Sequence, residues 1–200
     1  MEDQIYESLT AGVRRQKHKK GIFICGAAGA GKSTTRDTFL KDAGIKTTFV
    51  LLNIDNIRPI VGSHEKAVEV LKKIMDRTIS DGYSFVYDGT CRNKGEIFKY
   101  MDFIKRNGYE IIIGIVYAPL NIALQRIEQR TNQPLDIKIA KEIYEHVQNS
   151  VEKFMKSNLP DEVYLYNNTE NIKLIFHRKH KKIFCNLPNS KFYFDVSNLC

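Results

Sequence analysis

Apolar residues in this chain fall into short runs separated by longer stretches with helical spacing. The runs occupy residues 22–25, 48–54, 84–87, 110–117 and 162–166. Between them lie 32–43, 66–81, 96–106, 121–130 and 137–154, which read as helices. In the second of these, Val68, Leu71, Ile74, Met75 and Ile79 recur at the helical period, and Gly82 follows as a stop signal. Alternating strand and helix patterns predict an α/β fold, a parallel sheet flanked by helices on both sides. The run 110–117 is apolar almost throughout, as suits a parallel strand buried on both faces.

After Asn168 the pattern changes. Residues 172–176 and 182–185 are β-prone and flank a basic stretch, which predicts a hairpin. Residues 191–196 read as a further strand. Residues 1–20 have the spacing of an amphipathic helix with weak caps. No internal repeat or low-complexity linker is present.

The first strand runs directly into Gly26-Ala27-Ala28-Gly29-Ala30-Gly31-Lys32-Ser33. A strand, then G-x-x-x-x-G-K-S, then a helix is the arrangement that cradles a nucleoside triphosphate. The glycines let the backbone approach phosphate oxygens, and the helix adds the positive end of its dipole. Lys32 is expected on the β- and γ-phosphates and the Ser33 hydroxyl on Mg²⁺. Thr34 is a candidate for the α-phosphate. The ligand expected is ATP with Mg²⁺. The expected organisation is a basic segment 1–20, a P-loop kinase domain 21–170 and a basic β-hairpin extension 171–200.

Ligands of parallel α/β sheets bind beyond the carboxyl ends of the strands. Asp55 and Arg58 follow the second strand, and Asp88, Thr90, Cys91 and Arg92 follow the third. Asp55 is a candidate base or orienter for an acceptor hydroxyl, since phosphoryl transfer requires mainly positioning and charge neutralisation. A helix N-cap is its other reading. Arg58 is placed to pair with Asp55 or to bind an acceptor phosphate. Asp88 is a candidate either for organising Mg²⁺ or for orienting the acceptor. Thr90 and Arg92 add a hydroxyl and a guanidinium suited to phosphate recognition. Arg126 and Arg130 are four residues apart on one predicted helix face, as in a lid that closes over the phosphoryl group in flight. Asn132-Gln133-Pro134 would be its hinge.

Charge and cysteines narrow the field. The net charge is +8, but residues 1–20 contribute +2 and 171–200 contribute +5, so the middle is nearly neutral. That weighs against a long nucleic-acid groove and leaves the basic termini as solvated segments or contacts to an anionic partner. There is no signal-peptide pattern and no apolar run long enough to span a bilayer, which leads to the expectation of a cytoplasmic protein without a membrane partner. Cys25, Cys91, Cys185 and Cys200 lack metal or C-x-x-C spacing. Reduced thiols are expected, with Cys25 as a buried hydrophobe and Cys91 open to substrate.

The P-loop, then Ile54-Asp55-Asn56-Ile57-Arg58, Tyr87-Asp88-Gly89-Thr90-Cys91-Arg92, and Pro119 followed by Arg126 and Arg130, resembles the zeta-toxin family of P-loop kinases. The likeness covers roughly residues 20 to 170. It implies an ATP-dependent phosphotransferase acting on a hydroxyl of a small molecule, such as the 3′-hydroxyl of UDP-N-acetylglucosamine. It implies Asp55 as acceptor base, Asp88, Thr90 and Arg92 on the acceptor, Arg126 and Arg130 as lid arginines, and an antidote protein as partner. The chain departs from the family in having Asp88 where glutamate is usual, and Asn132-Gln133 where an arginine commonly precedes the proline. Two other readings share the P-loop: a polynucleotide 5′-hydroxyl kinase, and an ATP-binding switch without phosphotransfer. The absence of N-K-x-D disfavours a GTPase.

Overall fold

The computed structural model describes residues 1–130, 135–187 and 200. In chain order the elements are α1 (Glu2–Thr10), β1 (Lys20–Cys25), α2 (Lys32–Asp42), β2 (Val50–Asn53), α3 (Ile54–Val61), α4 (His64–Ser80) and β3 (Phe85–Gly89). They continue with α5 (Lys94–Arg106), β4 (Glu110–Tyr117), α6 (Leu120–Glu128), α7 (Ile137–Lys156), β5 (Glu162–Asn167), β6 (Lys173–Lys179) and β7 (Lys182–Cys185). One sheet of order β2-β3-β1-β4-β5-β6-β7 contains every strand among the described residues. The pairs from β2 to β5 are parallel, and β5–β6 and β6–β7 are antiparallel. The expected α/β class and the C-terminal hairpin are both present. The hinge 132–134 and the strand 191–196 lie outside the described residues.

Each face of the sheet has its own core. Phe23, Cys25, Ile113 and Ile115 belong to one cluster with side chains of α1, α4, α5 and α7. Ile22, Ile24, Ile112 and Val116 belong to the other, with Phe39 and Leu40 of α2. Alternating residues of β1 and β4 thus serve opposite faces, which is why β4 reads as one apolar run. Gly114 makes room for the Phe39 ring, since a Cβ there would lie 2.7–2.8 Å from ring carbons.

The reading of Asp55 as an N-cap implies a helix from Asn56, and α3 is present but starts two residues earlier. The second strand was expected through Ile54 but ends at Asn53, whose side-chain oxygen accepts from the Asp55 amide and caps the helix. The helix carries Pro59 and stops at Gly62, with φ +85°. Ser63, Asn93 and Asp136 cap α4, α5 and α7 in the same way.

The helix α1 and the strand β6 pack onto this body. Ile5 and Tyr6 are buried, and Tyr6 Oη donates to Asp81 at 2.5 Å. Part of the basic run leading into β1 is engaged. Arg15 lies over the Tyr83 ring, Lys19 over Tyr109, and Lys20 pairs with Glu110. In the hairpin, Arg178 donates to the carbonyls of Met155 and Ser157, and Lys179 pairs with Glu162 at 2.5 Å.

Glu162 is buried, and burial alone would raise its pKa. The Lys179 ammonium and a hydrogen bond from the Tyr164 hydroxyl outweigh it and hold the carboxyl below the ordinary range. A carboxylate with a depressed folded pKa adds stability above its unfolded pKa, lost as pH falls through the folded value. Stability should therefore decline as pH drops below about 4.5. Urea unfolding at pH 7 and pH 3.5 should show a smaller decline in Glu162→Gln than in the unaltered chain. Equal declines would remove Glu162 from the account.

Candidate nucleotide-binding and phosphotransfer site

In the parallel register Asn53 stands opposite Asp88, and Cys25 opposite Gly89. The carboxyl ends of β2, β3 and β1 therefore lie side by side, and the chain leaves them as α3, the 90–93 segment and the P-loop. Gly29 and Gly31 have φ of +77° and +86°, values that side-chain-bearing residues resist. Thr35 bonds back to the Gly31 carbonyl with both its amide and its hydroxyl, each at 3.0 Å, which starts α2 directly at the loop. Ser33 and Thr34 are exposed in the first turn, while Ala27 and Ala30 are buried.

Lys32 Nζ donates to the carbonyls of Gly26 at 2.8 Å and Ala27 at 3.2 Å. Desolvation lowers its pKa, and the charge of Asp88 acts in the opposite direction. Asp88 is only 4% exposed. Burial raises its pKa, while Lys32, Arg36 and a hydrogen bond from Asn53 lower it. Its Oδ2 is buried with no hydrogen-bond partner, and Arg36 Nη1 stands 3.7 Å away. The Arg36 guanidinium thus offsets the charge of this oxygen without hydrogen-bonding it, and a buried carboxylate oxygen without a hydrogen bond has capacity for a further cation.

Asp55 is exposed in the first turn of α3, with its Oδ1 3.9 Å from Arg58 Nη2. Its charge is felt by both Lys32 and Asp88. Asn53, rather than Asp55, is the N-cap. Thr90 is half-buried and the Arg92 side chain is exposed. The Arg92 carbonyl accepts from Ser150 of α7 at 2.9 Å, which anchors this loop. Beyond Arg92 a groove of about 770 Å³ runs between α4 and α5, lined by Asp76, Asn93, Glu96, Lys99, Tyr100 and Phe103.

Three expectations change here. Cys91 is 3% exposed, not open to substrate, and it forms a disulfide with Cys25 across a Cα–Cα distance of 5.3 Å. The parallel register is the reason. Cys25 ends β1 opposite Gly89, and the chain turns back at Cys91, with φ +53°. Cys185 is likewise joined to Cys200, so the expectation of reduced thiols does not hold. Finally, Arg126 and Arg130 do not share a helix, because α6 ends at Glu128. Arg126 donates to the carbonyls of Asn168 at 2.9 Å and Thr169 at 3.0 Å. Arg130 is exposed just past the helix, and its charge lowers the Lys32 pKa. Arg36, Asn53 and Asn168 join the site without having been singled out. Arg36 had a findable signal, being one helical turn after Lys32 and so on the same face.

Among the described residues, no helix is long and apolar enough to cross a membrane. The fold is similar to a structure from the PezAT chromosomal toxin–antitoxin system of Streptococcus pneumoniae, with a TM-score of 0.70 at 17% identity over 88% of this chain and 78% of that one. It is also similar to the AvrRxo1-ORF1:AvrRxo1-ORF2 complex with sulphate ions, TM-score 0.71 at 14% identity over 92% and 69%. The same complex with ATP gives a TM-score of 0.67 at 16% identity over 92% and 67%. No curated protein sequence matches the chain. The family model for zeta toxin matches residues 3–181, reaching past the P-loop motifs into α1 and the hairpin. With that match spanning nearly the whole chain, and with the P-loop leading from β1 into α2, this protein belongs to the zeta toxin family of P-loop kinases.

Proposed function

We propose that the chain transfers the γ-phosphoryl group of MgATP to a hydroxyl of a small-molecule acceptor, a nucleotide sugar of the UDP-N-acetylglucosamine type. The observation that carries this reading is the grouping of Lys32, Asp88 and Asp55 at adjacent strand ends, within range of one another's charges. The P-loop amides and Lys32 hold the triphosphate. ATP as the nucleotide draws support from the similar complex that carries it. Ser33 and Asp88 would hold Mg²⁺, and the buried Oδ2 of Asp88, which accepts no hydrogen bond and has only the Arg36 ion pair at 3.7 Å, fits that role. Mg²⁺, when bound, neutralises charge on the phosphates.

Asp55 lies at the solvent side of this group and accepts the proton of the acceptor hydroxyl. The hydroxyl oxygen bonds the γ-phosphorus as the bond to the departing ADP oxygen breaks. Arg58, Thr90 and Arg92 bind acceptor phosphate and sugar groups, and Arg130 adds positive charge on the lysine's side of the site. The groove beyond Arg92 has the volume for the acceptor's distal portion, with Tyr100 and Phe103 offering rings to stack on. An antidote protein as partner is part of the same reading, supported by the family and by the toxin–antitoxin structure.

The test is transfer of labelled γ-phosphate from MgATP to a panel of sugar nucleotides, nucleosides, NAD and a 5′-hydroxyl oligonucleotide. Label is expected on a sugar nucleotide. Asp55→Asn should lower the rate by roughly 10²–10⁴-fold, the range for loss of a general base. Label only on the oligonucleotide, or an undiminished rate in Asp55→Asn, would overturn the assignment.

A further inference from the structure

Asn168 follows β5 and is 7% exposed. It joins three parts of the molecule that are distant in sequence. Its amide donates to the Tyr117 carbonyl at the end of β4, at 2.8 Å. Its own carbonyl accepts from Arg126 of α6 at 2.9 Å. Its side-chain Nδ2 donates to the Ala30 carbonyl inside the P-loop, at 3.0 Å. The contact requires glycine at position 31, where a Cβ would lie 2.1 Å from that Nδ2. The turn around Asn168 is itself fixed, because Asn167 Oδ1 accepts from the Thr169 amide at 3.1 Å and from its hydroxyl at 2.6 Å.

A trans peptide is planar, and its C=O and N–H point in opposite directions. Holding the Ala30 carbonyl toward Asn168 therefore turns the Gly31 N–H away from Asn168. The Gly31 N–H is one of the loop amides that the P-loop pattern assigns to phosphate oxygens. We infer that Asn168 is a positioning residue for the triphosphate: its side-chain amide sets the Ala30–Gly31 peptide plane and so aims an anion-binding N–H into the site. Through its backbone carbonyl it also ties that setting to α6. The inference rests on the P-loop binding a nucleoside triphosphate, as proposed above, and adds a residue to which no motif points.

The requirement is for a donor, not merely for a side chain of this shape. Asn168→Asp is nearly isosteric but sets an acceptor oxygen against the Ala30 carbonyl and adds negative charge near the phosphates. Asn168→Ala removes the donor without that repulsion. Affinities for MgATP and for Mg-tripolyphosphate, which has no base or sugar, would be measured by titration calorimetry, with thermal melts to confirm folding. Asn168→Ala should weaken both ligands in parallel by about tenfold, as for one hydrogen bond. Asn168→Asp should weaken both by about 100-fold. An Asn168→Asp protein that binds both ligands normally would overturn the inference, since shape alone would then suffice. Loss confined to MgATP would also overturn it, since the residue would then be acting on the base. Normal binding of both ligands by a folded Asn168→Ala protein would do so even if the aspartate variant failed to fold. If the unaltered protein bound neither ligand, the nucleotide reading itself would fall, and this inference with it.

Discussion

Lys32→Ala should reduce phosphate transfer by roughly 10²–10³-fold, the usual effect of removing one electrostatic contact to a transition state. The ammonium is the charge best placed to follow the γ-phosphoryl group, since it already lies against the loop carbonyls of Gly26 and Ala27. Folding stability should respond in the opposite sense. Desolvation lowers the Lys32 pKa, so the folded state bears a cost for keeping that charge. Steady-state rates and urea unfolding of the same variant separate the two effects. Activity lost together with stability would point to a structural lysine. Activity kept within tenfold would remove Lys32 from the chemistry.

Losing the Cys25–Cys91 bridge should have the largest effect on stability. The bridge spans 66 residues, a span that includes α2, β2, α3, α4 and β3. Closing a loop of that length removes denatured-state entropy worth about 4 kcal/mol in the chain-entropy model. Measured values commonly fall below the model, so a loss of about 2–4 kcal/mol is expected for Cys25→Ser/Cys91→Ser. The Cys185–Cys200 bridge spans only 15 residues, and the same reasoning gives about 1 kcal/mol less for its removal. Urea unfolding of the two double variants, with and without a reducing agent, checks the order. Reducing agent should leave the variant lacking all four cysteines unchanged. If the short bridge proved the more important, loop closure would not be the governing physics. The first bridge also lies directly before Gly26 and between Thr90 and Arg92. Removing it should accordingly raise the acceptor KM more than the ATP KM.

The parts of the fold visible in the sequence were those with a strong local signal. Five apolar runs marked the parallel strands, because residues covered on both faces leave no polar alternation to blur the run. The P-loop was visible because its glycines, Lys32 and Ser33 are close in sequence. Where contacts are non-local, that signal fails. Nothing beside Cys25 or Cys91 announces a bridge, which exists because β1 and β3 pair in one register. Asn168 follows its strand without a motif, and its partner Ala30 is 138 residues away. The start of α3 was misplaced because Ile54 reads as a continuing strand, while its cap is Asn53 rather than Asp55. The two lid arginines looked equivalent by spacing, but α6 stops between them. Arg126 is then held by backbone carbonyls, and Arg130 is left exposed near Lys32.

The position of β1 has a consequence for how this protein is made. Its two neighbours, β3 and β4, are both synthesised after it, and the later one is complete only at Tyr117. At typical elongation rates the ribosome needs roughly 5–20 s to pass from Cys25 to Tyr117. Until Gly89 is made Ile22, Phe23 and Ile24 have neither sheet partner, and until Tyr117 they have only β3, so the P-loop hangs from a strand not yet paired on both sides. On the ribosome, nucleotide can help this chain to fold only once the strands on either side of β1 have been made.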